Sequence, residues 1–188
     1  MVTLEFVVAQ LAHFFPSRNT YQREILLAYH FARGRADNCF GLESEMFDLH
    51  GDRYAVLLYF LSNELYRAGE IDLATKVYLM NKSLHGIDMF FEVNLPDKFQ
   101  VVHPVGTVLG RATYADGLKV YQNVNIGSNK GIYPVIGENF TAHPGAMVLG
   151  DCKIGKDCAV GAGSVLIDKD LPDGATYVGS PLLNKVLP

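Results

Sequence analysis

The sequence predicts an α+β chain, helical over residues 1–86 and then a parallel β-helix over residues 87–188. Three observations carry this. An aliphatic or related residue returns every sixth position through Val102, Val108, Tyr114, Val120 and Ile126, then through Ile136, Ala142, Val148, Ile154, Val160 and Leu166. Four residues after most of these stands a second, mostly small residue: Gly106, Ala112, Val124, Ala146, Cys152, Cys158 and Ser164. Helical periodicity, finally, is confined to the first 86 residues. A beat of six fits neither a helix nor one alternating strand, so it is read as a repeat. Each hexapeptide forms one face and a corner, and three faces close a triangular coil, so the chain lies above itself eighteen residues on. The aliphatic position points inward; the small one fits a corner.

The helical part reads in order. Leu4, Val7, Val8, Leu11 and Phe15 give one face, stopped at Pro16. Ser17 or Thr20 caps a second helix carrying Tyr21, Ile25 and Tyr29, expected to end near Gly34, with a link from Arg35 to about Asp48. Asp52 opens the strongest helix, placing Tyr54, Leu57, Leu58, Leu61 and Leu65 on one side and ending at Gly69. A fourth runs from Ile71 to about Leu84, with Ala74, Val77 and Tyr78 inward. The bland reading of this part is a small bundle. From Asp88 the helical pattern is gone. The two periodic series are separated by ten residues, six plus four, so a four-residue loop is expected within Ser128 to Tyr133. The segment from Tyr177 to Pro188 is expected to close the open end.

Composition narrows the function. The chain has 188 residues, a net charge of −4 and no basic stripe, which argues against a nucleic-acid surface. The longest apolar run, Ala55 to Leu61, is too short to span a bilayer. No signal peptide is read at the start, and the cysteines Cys39, Cys152 and Cys158 are read as reduced, so the expected compartment is cytoplasmic. No metal site is expected: Cys152 and Cys158 have no nearby histidine, and only His103 and His143 lie among the repeats.

His103 directly follows a position read as inward, so its side chain is expected to leave the coil at a corner. Alone, it is an ordinary surface histidine. The run from about Asp52 to Leu182, however, resembles the serine acetyltransferase branch of the hexapeptide-repeat acyltransferases. The matching words are Gly86-Ile87-Asp88, His103-Pro104-Val105-Gly106-Thr107-Val108-Leu109-Gly110, Gln122-Asn123-Val124 and Gly161-Ala162-Gly163-Ser164-Val165. The resemblance implies a left-handed coil, against the usual crossover hand. It also implies an acetyl-CoA-dependent O-acetyltransferase in which Asp88, fifteen residues before His103, forms a dyad with it. The chemistry is coherent. Imidazole titrates near neutrality and can take a hydroxyl proton, while a carboxylate on its other nitrogen fixes the tautomer and stabilises the imidazolium.

By the same resemblance acetyl-CoA lies between two subunits of a trimer, or of a dimer of trimers, along Ser128, His143, Pro144 and Ala162. The acceptor is expected near Tyr133, Val102 and Gln122. Two departures bear on that acceptor. Serine acetyltransferases carry an aspartate where Val102 stands, and an arginine-histidine-proline triplet where Ile132-Tyr133-Pro134 stands. The charges expected to hold a free amino acid are therefore missing, and the acceptor is left open between serine and a sugar hydroxyl. The tail of the family that docks on cysteine synthase has no counterpart, so that partner is not expected. Two alternatives remain: an N-acetyltransferase acting on an amino sugar, and a non-catalytic coil serving as a scaffold.

Overall fold

A computed structural model of the chain describes residues 3–16, 22–40 and 50–180. The Ser17, Thr20 and Tyr21 readings, most of the expected link and the closing segment beyond Ser180 lie outside these residues. The chain divides into two compact units, Met1–Val93 and Asn94–Pro188.

The first unit is built on four helices. Helix α1 (Leu4–Phe14) starts at Thr3, whose Oγ1 accepts the Phe6 N–H at 3.2 Å, and it ends before Pro16. Helix α2 (Gln22–Phe40) does not stop at Gly34 as expected. Ala32 and Ala36 are fully buried on either side of that glycine, and the added burial outweighs the cost of an exposed mid-helix Gly, about 1 kcal/mol. Helix α3 (Gly51–Arg67) is the core of the unit. The expectation of one inward face is corrected here, because every residue from Tyr54 to Asn63 is 5% exposed or less. A helix enclosed on all sides must satisfy its polar groups internally. Asn63 Nδ2 donates to the Phe91 carbonyl at 2.7 Å, Tyr59 OH to that of Val93 at 2.6 Å, and Ser62 Oγ to that of Tyr59 at 2.8 Å. Gly69, at φ +85°, closes α3 in a Schellman turn: its N–H meets the Tyr66 carbonyl and the Glu70 N–H meets that of Leu65. Helix α4 (Ile71–His85) ends at Gly86, again left-handed at φ 63°, and leads into β1 (Asp88–Met89).

The second unit is a parallel coil with three faces. One face stacks β2 (Phe99–Val101), β5 (Leu118–Val120), β8 (Thr141–Ala142), β11 (Ala159–Val160) and β13 (Thr176–Tyr177). A second stacks β3 (Val108–Leu109), β6 (Asn125–Gly127), β9 (Met147–Leu149) and β12 (Val165–Ile167). The third holds β4 (Thr113–Tyr114), β7 (Val135–Ile136) and β10 (Lys153–Ile154). From Val120 to Leu166 every inward position is 5% exposed or less, so the hexapeptide reading holds there. Val124, Ala146, Cys152, Cys158 and Ser164 fill the corners at 2% or less.

The first coil departs from that reading. Val101 pairs with Val120 and Leu109 with Ile126, so Val101 and Leu109 point inward. Val102 is half-buried and Val108 is 37% exposed. Thr107, not Gly106, fills the corner, its Oγ1 accepting the Val124 N–H at 3.3 Å. Ala112 is only half-buried. The true inward spacing is eight residues from Val101 to Leu109 and five to Tyr114. Two adjacent apolar pairs, Val101-Val102 and Val108-Leu109, let a false sixfold phase run through the sequence.

The four-residue insertion is where it was expected. Asn129 and Ile132 exchange backbone hydrogen bonds at 3.0 Å each, and Lys130 and Gly131 have φ of 51° and 80°. Positive φ at both central residues is the mark of a tight type I′ hairpin.

Candidate active site

His103 owes its position to the first-coil irregularity. The Asn123 N–H donates to the Val105 carbonyl, as Gly145 does to Gln122 and Gly163 to Pro144. Val105, Gln122, Pro144 and Ala162 are therefore equivalent, and Val102 is equivalent to Tyr121 through its bond to Val120. His103 and Pro104 are two residues with no counterpart in later coils. Pro104 is buried and anchors the extension; His103 is exposed, at φ 48°. A non-glycine residue held left-handed is uncommon and is tolerated where its surroundings dictate it.

The other predicted residues fall at two corners. Val102, His103, Gln122, His143, Pro144 and Ala162 gather at the corner between the β2 and β3 faces. Ser128 and Tyr133 stand at the opposite edge of the β3 face, flanking the hairpin, with Tyr133 41% exposed. One coil therefore does not bring all the predicted residues into one groove. His143 is equivalent to Tyr121, not to His103, and its ring stacks on Tyr121 at 5.7 Å and 14°. Gln122 brings an unexpected feature: its Oε1 is buried without a hydrogen-bond partner among the described residues. A buried orphan acceptor invites a donor from a ligand.

Asp88 is held at both carboxylate oxygens. Tyr78 OH donates to Oδ1 at 2.8 Å and Lys82 Nζ to Oδ2 at 2.6 Å. The carboxylate raises the Lys82 pKa, its hydrogen bond being the largest cause. Burial raises that of Tyr78, and Asp88 adds to it. Sequence reasoning missed both partners. Tyr78 and Lys82 do share a helix face four residues apart, but the left-handed Gly86 that turns Asp88 back toward them has no periodic signature. Among the described residues no group of three or more histidine, cysteine or acidic side chains is arranged to hold a metal, and no helix is long and apolar enough to cross a membrane.

This coil behind a helical unit defines the class. The family description "Bacterial transferase hexapeptide (six repeats)" matches residues 133–168. The soybean serine acetyltransferase apoenzyme superposes with a TM-score of 0.77 at 22% identity, over 96% of this chain and 83% of that one. The Neisseria gonorrhoeae serine acetyltransferase gives 0.76 at 19%, over 96% and 81%. The coil is thus a left-handed parallel β-helix.

In sequence, the serine acetyltransferase of Bacillus pumilus is 29% identical over 133 residues, 68% of this chain and 61% of its own length. That of Staphylococcus aureus strain Mu50 is 28% identical over 142 residues, 73% and 66%. Residues 133–168 thus match the hexapeptide transferase repeat, and over about two thirds of its length the chain is similar to serine acetyltransferases. It spans between about half and two thirds of the length of the curated relatives it matches, 49% at the lowest of these.

Proposed function

We propose that the protein is an acetyl-CoA-dependent O-acetyltransferase acting on a small hydroxyl acceptor, with His103 as general base and Asp88 as the residue that orients it. The observation that carries the reading is the two-residue extension displaying His103 on the outside of the coil. The fifteen-residue spacing to Asp88 and the similarity to serine acetyltransferases support the dyad. His103 takes the acceptor hydroxyl proton as the oxygen attacks the thioester carbonyl. The carbon–sulfur bond breaks, and the proton passes to the thiolate of coenzyme A. Solved relatives include a serine acetyltransferase in complex with CoA, which supports that donor here.

The division of the candidate residues between two corners favours a groove shared by copies of the chain. The outer column of the β3 face runs Val108, Asn125, Met147 and Val165, beside Leu149 and Ile167. The β2 face instead presents Gln100, Lys119, Thr141, Ala159 and Thr176. The apolar face is the one a second copy would cover, giving a homotrimer with three grooves. Acetyl transfer to serine, homoserine and common hexoses, followed by thiol release, tests the activity. His103→Ala should lower turnover by about 10²–10⁴-fold while acetyl-CoA still stabilises the protein; turnover kept within a few-fold would overturn the assignment. Asp88→Asn should cost less, since the partner geometry is retained.

A further inference from the structure

The hairpin at residues 129–132 is tied to a residue two coils away. Asn129 Nδ2 donates to Asp168 Oδ2 at 2.6 Å. The other oxygen of Asp168 accepts the Asp151 N–H at 2.9 Å, and its own N–H reaches the Leu149 carbonyl at 3.0 Å. The intervening coil passes between the two side chains at Gly150. A Cβ there would lie 2.0 Å from Asp168 Oδ1 and 2.6 Å from Asn129 Cβ. Gly150 also sits at φ +82°, and Asp168, a non-glycine residue, at φ 47°. Two left-handed residues and a missing side chain thus clear a path for one hydrogen bond.

The hairpin presents Ile132 and Tyr133, 51% and 41% exposed, as an apolar wall. We infer that Asp168 and Asn129 are positioning residues that hold this wall, and through it set how tightly a neutral hydroxyl acceptor is bound. The inference rests on the acetyltransferase reading and adds to it a specificity device outside the dyad. The charge-assisted bond orders a turn that would otherwise sample several conformations, so less ordering is left for the acceptor to impose.

Lys130, exposed at the tip and followed by Gly131, supplies a tryptic cleavage site whose rate reports opening of the turn. Asn129→Ala removes the tether and leaves the Asp168–Asp151 bond in place. It should speed cleavage after Lys130 by about tenfold and raise the KM of the best acceptor by about fivefold, with kcat within about twofold and Tm unchanged. Asn129→Asp sets like charges against each other and should open the turn further. Combining it with Asp168→Asn exchanges donor and acceptor and should restore both readouts. Unchanged cleavage in Asn129→Ala, or failure of the exchange to restore it, would overturn the tether. Faster cleavage with an unchanged KM would overturn the acceptor role. Should the unaltered protein transfer no acetyl group at all, the acceptor role falls with the activity, while proteolysis still decides the tether.

Discussion

His85 shows how one side chain couples packing to pH. It lies at the end of α4 with its ring edge-on to Tyr54 at 5.5 Å and Nδ1 2.8 Å from Asn81 Oδ1. Burial is the main influence on its pKa and lowers it, against the opposing pull of the Asn81 hydrogen bond and Asp52. The unfolded chain therefore takes up the proton first as pH falls. The stability linked to neutral His85 is complete above its ordinary value of about 6.5 and declines as pH drops through that value toward the lower folded one. Thermal unfolding at pH 7.5 and pH 5.5 should show this loss, and His85→Gln should shrink it. A pH dependence identical in the variant would place the sensitivity elsewhere. At the same scale, Lys82→Met removes the cation from Asp88 while Tyr78 OH remains. If Asp88 serves His103, activity should fall several-fold, and Lys82→Arg should recover most of it; an unaffected kcat/KM would leave Lys82 a surface charge.

At the scale of elements, the coil from Val120 to Leu166 was legible because inward and corner positions keep one phase on either side of a single four-residue hairpin. The first coil was not, since neighbouring apolar residues satisfied the wrong phase as well as the right one. Substitution separates the two. Ile126→Ala, at a fully buried position, should cost about 2–5 kcal/mol, while Val108→Ala should cost under about 0.5 kcal/mol in the isolated coil. Denaturant unfolding giving equal losses would reinstate the sixfold phase. Helix α2 was misread for a related reason: Gly34 carries a stop signal in sequence, but the helix is fixed by the alanine face running past it. The Asn129–Asp168 tether was invisible because 39 residues separate its ends and only the folded coil makes them neighbours. The last coil also replaces lost strand partners with aspartates: Asp170 accepts the Lys153 N–H at 2.7 Å and Asp173 that of Lys156 at 2.8 Å. These side chains blunt an edge that would otherwise template further pairing.

For the molecule as a whole, the apolar outer column at Val108, Met147 and Val165 makes a definite claim about assembly. Met147→Glu should dissociate the proposed trimer, as measured by light scattering, while circular dichroism remains that of the folded chain. A mass that does not change would remove that face from the interface. The mass of the unaltered protein separates three chains from six; α2 exposes Leu27 and Phe31 at 65% and 66%, an apolar stripe through which trimers could pair.

The displaced corner that carries His103 also bears on how this architecture can be lengthened. Between Ile136 and Leu166 each inward residue recurs at eighteen, so duplicating residues 137–154 would splice in one whole storey and raise the column by about 4.8 Å. Nothing below the splice would shift, because the His103 extension and the hairpin both precede residue 137. The chemistry and the height of the tower are thereby separable, and a taller version should keep its reaction while changing only what its upper walls can hold.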